Sequence, residues 1–205
     1  MAGRSKLLAM DLEGVLVPEV WIAFAEKTGI KELRLTTRDI SDYDVLMKHR
    51  LAILKENSLR LPDIQTVIET MEPLSGAVEY LNWLRERCQF VILSDTFYEF
   101  AAPFMRKLGY PTLLCNSLVT DEQGNILDYR MRMPDGKRHA VLAFKQLNFD
   151  VFAMGDSYND TAMLSEAELG ILFRPSEKVR QEFPQFPVAS EYDEVEKILA
   201  PALNA

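Results

Sequence analysis

The stretch Leu7-Leu8-Ala9-Met10-Asp11-Leu12-Glu13-Gly14-Val15 decides how this chain is read. Four apolar residues lead into an acid, a second acid follows two positions on, and a glycine lets the backbone turn. A short apolar run closed by such a turn is a buried strand of a parallel sheet. Side chains alternate along an extended chain, so Asp11 and Glu13 share one side of the strand's end. Two carboxylates placed there repel each other, and burying them unpaired is costly. A positive group is expected between them or close by, and a bound cation is the simplest one.

Outward from that strand, residues 15–73 hold helices but no clear strand. A helix over 21–28 stops at Gly29, and a polar connection passes through Thr36, Thr37 and Asp39. An amphipathic helix covers 42–57, and another opens at Leu61-Pro62-Asp63, with its proline in the first turn where it is tolerated. From Gly76 the rhythm changes. Helices over 76–87, 98–108, 139–147 and 158–167 alternate with strands over 90–93, 112–115, 151–154 and 169–173. Segments 118–120 and 126–131, joined through Asp121-Glu122-Gln123-Gly124-Asn125, read as a hairpin. Two short helices around Val179 and Val195 close the chain. This alternation predicts an α/β fold, a doubly wound parallel sheet covered on both faces, with a small all-helical domain inserted after the first strand. The expected division is 1–14 and 75–205 for the α/β core and 15–74 for the helical cap.

The net charge of −8 over 205 residues argues against nucleic acid or an anionic membrane as partner. An anionic substrate must then be caught by local positive groups. Cys88 and Cys115 lie far apart in unlike contexts and read as free thiols in a reducing compartment. No leader pattern is visible, and no run approaches the roughly 18 apolar residues of a membrane span. A cytoplasmic location is expected. A homo-oligomer is compatible with the sequence but is not written in it.

In open α/β sheets, ligands gather outside the carboxyl ends of the strands. Three expected strands end in polar residues: Asp11 after Met10, Ser94-Asp95-Thr96 after Leu93, and Asp156 after Gly155. Aligned in one sheet, they bring Asp11, Glu13, Ser94 and Asp156 together. Lys137, in a Gly-Lys turn before a helix, reaches the same edge and is better placed than Arg138 or Lys145. Oxygen ligands without a His or Cys cluster favour Mg²⁺, which takes a few carboxylates plus phosphate oxygens. A strand-end Asp can attack phosphorus, while lysine and metal neutralise the transferring group. The second acid can protonate the departing alkoxide.

Two further positions concern selectivity. Arg50 shares its helix face with Leu46, Met47, Ile53 and Leu54, and a bidentate carboxylate is the best partner for a guanidinium so placed. Glu19, between the first strand and the helices, is placed to take an ammonium. An ordinary ion pair between the two, or Arg50 reaching out to water, stays open as an alternative. Asp95 also has two readings. An acid beside a phosphate is unfavourable unless it faces a substrate amine; alternatively, Thr96-x-x-Glu99 is a capping box and Asp95 merely sits next to it.

Asp11-Leu12-Glu13-Gly14-Val15, Ser94, Lys137 and Gly155-Asp156-Ser157-Tyr158-Asn159-Asp160 resemble, in order, the four motifs of the haloacid-dehalogenase superfamily of phosphohydrolases. The layout is similar to that of phosphoserine phosphatases. The opening through Val17-Pro18-Glu19, with Ser94-Asp95-Thr96, is closer still to the ThrH type, which joins phosphoserine phosphatase to homoserine phosphotransferase activity. The resemblance implies Asp11 as nucleophile and Glu13 as acid/base, with Asp11, Glu13 and Asp156 holding Mg²⁺. It implies Ser94 and Lys137 on the phosphate, Asn159 near the substrate, and Asp160 behind them, holding Lys137 or the loop. Glu19 and Arg50 fall where phosphoserine phosphatases bind the amine and carboxylate. O-phosphoserine is the implied donor, with water or homoserine as acceptor. Most of the superfamily has Asp where Glu13 stands; the longer acid is expected to position water poorly, so that an alcohol competes. A phosphatase for another small phosphomonoester, a silent phosphate-binding regulator and a purely structural partner protein are the remaining alternatives.

Overall fold

Seven strands line up in the order β4-β3-β2-β1-β5-β6-β7 in the computed structural model, which describes residues 4–36, 39–40 and 42–204. The strands are β1 (Ser5–Met10), β2 (Gln89–Phe97), β3 (Leu113–Thr120), β4 (Ile126–Arg130), β5 (Phe149–Gly155), β6 (Leu169–Phe173) and β7 (Val188–Ala189). All neighbours are parallel except β3 and β4, which form the antiparallel hairpin. The chain winds from β1 outward to β3 on one side and later from β5 outward to β7 on the other. The strand order therefore reverses between β1 and β5, the place where such sheets bind ligands.

Nine α-helices fall among the described residues. The sequence pattern explains why both faces of the sheet are covered. Leu8 and Met10 of β1 enter one apolar core, while Leu7 and Ala9 enter a second on the opposite face. That is the period-two alternation of a strand buried on both sides. The helices of the core are α4 (Ala77–Arg85), α5 (Tyr98–Lys107), α6 (Gly136–Gln146), α7 (Thr161–Glu166), α8 (Glu177–Glu182) and α9 (Tyr192–Asn204).

Between β1 and α4 the chain forms α1 (Val20–Thr28), a 3-10 turn (Lys31–Arg34), α2 (Tyr43–Glu56) and α3 (Leu61–Thr70), and among the described residues no strand of the sheet. Asp42 caps α2 by accepting from the N–H groups of Asp44 and Val45, which fixes where that helix begins. The chain enters and leaves this helical segment side by side, since the Leu74 N–H donates to the Leu16 carbonyl at 2.9 Å. From α9, the Tyr192 hydroxyl donates to the Val15 carbonyl at 2.6 Å and ties the same connection to the core. Thr37, read as part of the polar connection, lies outside the described residues.

Several elements differ from expectation in extent. β2 runs on to Phe97 and β3 is continuous from Leu113 to Thr120, where two separate strands were expected. The last helix is 13 residues long, not short, and β7 was not foreseen. The Thr96-x-x-Glu99 capping box does not form. The strand carries the chain through Phe97, which is the N-cap of α5, and the Glu99 carboxylate instead accepts from the Leu118 N–H of β3 at 3.0 Å.

Candidate active site

Asp11 stands one residue beyond β1, and its N–H continues the β1/β5 ladder by donating to the Met154 carbonyl at 3.0 Å. Its carboxylate is thereby held at the point where strand order reverses. Oδ1 accepts from the Leu12 N–H at 2.7 Å, and Oδ2 lies 2.8 Å from Lys137 Nζ. Lys137 reaches it from the first turn of α6 and also meets Asp160 Oδ1 at 2.8 Å and Asp95 Oδ2 at 3.8 Å. The two rivals for this role are used elsewhere: Arg138 pairs with Glu166 and Lys145 with Glu168.

Asp156 follows β5, and Asp160 closes the turn behind it. Asp160 is fully buried, and its Oδ2 accepts from the N–H groups of Asp156 and Ser157 at 2.9 and 3.1 Å. Gly155 makes this approach possible, because a Cβ there would lie 2.3 Å from Asp160 atoms. Gly14 does the same for Asp156. It adopts a left-handed φ of 76°, and a Cβ would fall 2.8 Å from the Asp156 carboxylate. The glycine that ends the opening stretch is therefore a requirement of the acid facing it.

One carboxylate oxygen each from Asp11, Asp156 and Asp160 fall within 4.8 Å of one another, all three residues buried. Burial pushes the Asp11 carboxyl well above its ordinary range; Lys137 opposes this, and Asp160 and Asp156 add to it. Burial alone would lower Lys137, but Asp11, Asp160 and Asp95 outweigh it and hold the ammonium well above its usual value. A compact all-oxygen group with surplus negative charge suits a hard divalent cation such as Mg²⁺. Within it, Asp160 meets Lys137 and two N–H groups from behind, while Asp11 and Asp156, at the ends of β1 and β5, line the cavity.

Glu13 is not part of that group. Its carboxylate turns toward α1 and accepts from the Val20 N–H at 3.0 Å. The expected trio of Asp11, Glu13 and Asp156 is thus found with Asp160 in the place of Glu13. The physical reason is the helix start, whose unpaired N–H groups attract a carboxylate.

These groups open into a cavity of about 320 Å³ also lined by Glu19, Arg50, Ser94, Asp95 and Asn159. Nine of the ten residues singled out from the sequence line it, and Asp160 sits behind. Arg50 is only 6% exposed. Its guanidinium lies 4.5 Å from the Trp21 ring centroid and donates to the Leu35 carbonyl at 2.8 Å, while Nε is buried without a hydrogen-bond partner. Burial lowers its pKa to about 10, with Tyr43, Glu13 and Glu19 pulling the other way. An orphaned, desolvated cation bordering a cavity is a place for an anionic ligand group.

Trp21, Tyr43 and Arg174 also line the cavity and were not singled out beforehand. Arg174 carried a usable signal, since it directly follows β6 and so obeys the same strand-end rule as Asp11 and Asp156. Tyr43 carried none, being the first residue of an ordinary helix.

The fold and this constellation define a class. Residues 6–168 match the family described as haloacid dehalogenase-like hydrolase, and the chain belongs to that family. Among curated relatives, it is 61% identical to a phosphoserine phosphatase of Pseudomonas syringae pv. tomato over 97% of this chain and 84% of that protein. It is 60% identical to the phosphoserine phosphatase ThrH of Pseudomonas aeruginosa, over 94% of each. A solved structure described as a phospho-aspartyl intermediate analogue of phosphoserine phosphatase superposes with a TM-score of 0.79 at 21% identity, over 95% of this chain and 99% of that one. At that identity the likeness speaks for the fold. Among the described residues, no helix is long and apolar enough to cross a membrane.

Proposed function

We propose that this protein is a Mg²⁺-dependent phosphoserine phosphatase that also passes the phosphoryl group to homoserine, working through an aspartyl-phosphate on Asp11. The observation that carries the reading is the buried Asp11 carboxylate at the β1 end, 2.8 Å from Lys137, in one cavity with the buried Arg50 guanidinium, whose Nε has no partner. Kinship at 60–61% with two proteins named phosphoserine phosphatase, one of them ThrH, supports the choice of substrate.

In this mechanism Arg50 grips the substrate carboxylate, and Glu19 and Asp95 face its ammonium. Lys137 and the Ser94 hydroxyl bind phosphate oxygens, and Asn159 lines the same cavity near the substrate. An Asp11 oxygen attacks phosphorus as the bond to the serine oxygen breaks, and Glu13 gives that oxygen its proton. Glu13 then takes a proton from water or from the homoserine hydroxyl, whose oxygen attacks the aspartyl-phosphate and frees Asp11. Mg²⁺ held by Asp11 and Asp156 would supply positive charge to the phosphoryl oxygens and keep both carboxylates ionised. Residues 15–74 act as a cap that excludes water when it lies over the sheet edge and opens for release.

The test is incubation with O-phosphoserine and Mg²⁺, with and without homoserine, measuring serine, inorganic phosphate and phosphohomoserine. Phosphate release alone, then phosphohomoserine at its expense when homoserine is added, is the expected result. No phosphate from phosphoserine would overturn the substrate assignment, and phosphate without phosphohomoserine would remove the transferase half.

A further inference from the structure

Residues 94–96 form a bulge in β2. Pairing with β3 runs through Leu93 and Leu114 and resumes only at Phe97 and Asn116. Bulges of this kind re-aim side chains beside active sites, and they strip the bulged peptide of ladder partners. What holds Asp95 must therefore come from side chains. Its carbonyl accepts from two: Asn116 Nδ2 at 3.0 Å and the Tyr43 hydroxyl at 3.0 Å.

The two donors belong to different bodies. Asn116 is buried in β3 and is itself fixed by accepting from the Arg132 N–H at 3.0 Å, so it serves Asp95 wherever the helical segment sits. Tyr43 is the first residue of α2 and arrives only with that helix. The next residue, Asp44, accepts from the Tyr129 hydroxyl of β4 at 2.7 Å, and the Tyr43 and Tyr129 rings meet edge to face at 5.8 Å. Successive residues at the start of α2 thus bond to the core in opposite senses. Burial, and then the Asp95 carboxylate, push the Tyr43 phenol above its ordinary value, so it remains a donor.

We propose that Tyr43 is a positioning residue: its hydroxyl, delivered when α2 lies over the sheet edge, fixes the bulged Asp95 peptide so that the Asp95 carboxylate faces the cationic group of the phosphomonoester. This rests on the reading above in which Asp95 meets a substrate ammonium. Without the Tyr43 bond, the carbonyl keeps only Asn116 and the bulge gains freedom to turn. The Asp95 carboxylate, 3.8 Å from Lys137 in the held position, then no longer faces the substrate's cationic group. The cap state is in this way coupled to substrate choice and not only to water exclusion.

The experiment compares Tyr43→Phe, Asp95→Asn and the double variant on O-phosphoserine and on p-nitrophenyl phosphate, which has no amine. Tyr43→Phe should raise KM for phosphoserine about three- to tenfold, the worth of one neutral hydrogen bond, and leave p-nitrophenyl phosphate unchanged. The double variant should match Asp95→Asn alone, because the hydroxyl acts only through that residue. Tyr129→Phe breaks the neighbouring bond without touching the Asp95 carbonyl and should leave the ratio of the two substrates as it was. Equal effects on both substrates, additive losses in the double variant, or a Tyr129→Phe that shifts the ratio as Tyr43→Phe does would overturn the proposal. Phosphoserine turnover with a silent Tyr43→Phe removes this inference alone. An unaltered protein that cleaves p-nitrophenyl phosphate but not phosphoserine removes the substrate reading, and this inference with it.

Discussion

Replacing Lys137 by methionine tests the centre of the site through stability as well as activity. The ammonium is 6% exposed and is shared by Asp11 and Asp160, each at 2.8 Å. Methionine fills much of the volume but leaves two buried carboxylates facing each other. Breaking a buried pair in this way costs about 3–5 kcal/mol. At about 2–4 °C per kcal/mol for a chain of this size, the melting temperature should fall by about 6–20 °C. The loss should also depend on pH. Burial already raises the Asp11 carboxyl, and Lys137 is the largest opposing influence, so its removal raises that carboxyl further. An acid whose folded pKa exceeds its unfolded value contributes stability that is full below the unfolded pKa and is lost as pH rises through the folded one. Lys137 is shifted upward, so in the unaltered protein its own contribution stays constant well below pH 10.5. The deficit of the variant should therefore be larger at higher pH and shrink on acidification as Asp11 protonates. Urea melts at pH 5.5 and pH 8 in the presence of chelator would measure it. A variant as stable as the parent at pH 8, or one with the same deficit at both values, would refute the argument.

Three other substitutions carry distinct expectations. Asp11→Asn should abolish phosphoserine turnover while the melting temperature holds or rises, because the amide removes a buried charge; turnover assays beside thermal melts decide it, and full activity would remove Asp11 as nucleophile. Arg50→Met should raise KM for phosphoserine about 10- to 100-fold, the worth of charged hydrogen bonds. The ligand-free protein should keep its melting temperature, since burying a guanidinium with an orphaned Nε offsets its bond to Leu35; unchanged KM would contradict the assignment. Glu13→Asp withdraws the carboxylate from the Val20 N–H by one methylene and should shift product from phosphohomoserine toward inorganic phosphate. An unchanged partition ratio would sink that idea.

What the sequence made legible was local in origin. The apolar run ending in Asp11 and the apolar face of α2 with its Asp42 cap are periodic signals that lie within a few residues. The strand-end rule then gathered Asp11, Ser94 and Asp156 without knowledge of the sheet order. The misreadings have other causes. Asn116 and Ser117 look like loop residues, yet β3 runs through them, because the Asn116 side chain is satisfied by Asp95 and Arg132 from distant parts of the chain. Thr96 and Glu99 match a capping pattern, yet the β2 bulge moves the helix start to Tyr98 and sends Glu99 to β3. The resemblance put Glu13 on the metal, whereas its carboxylate accepts from the Val20 N–H at the start of α1. For Asn116 and Glu99 a long-range hydrogen bond outweighed a short-range pattern; for Glu13 the competing donor sits at the next helix start.

Charge explains why these departures serve one end. The cavity is lined by five carboxylates, Asp11, Glu13, Glu19, Asp95 and Asp156, against three cations, Arg50, Lys137 and Arg174. Arg174 is engaged by Glu191 at 2.9 Å and Lys137 by Asp11 and Asp160 at 2.8 Å, so the acids outweigh the positive charge available to a ligand. A phosphomonoester dianion entering such a site alone, in a chain of net charge −8, would be repelled. Under the proposed mechanism, entry would become favourable once a divalent cation joins Asp11 and Asp156 and the substrate brings its own ammonium to Glu19 and Asp95. On the proposed reading, this surplus of acids would select against simple phosphate esters and for a phosphorylated amino acid. Neutralising Glu19 and Asp95 should weaken that preference, and the device that aims Asp95 becomes as important to selectivity as the groups that touch the phosphate.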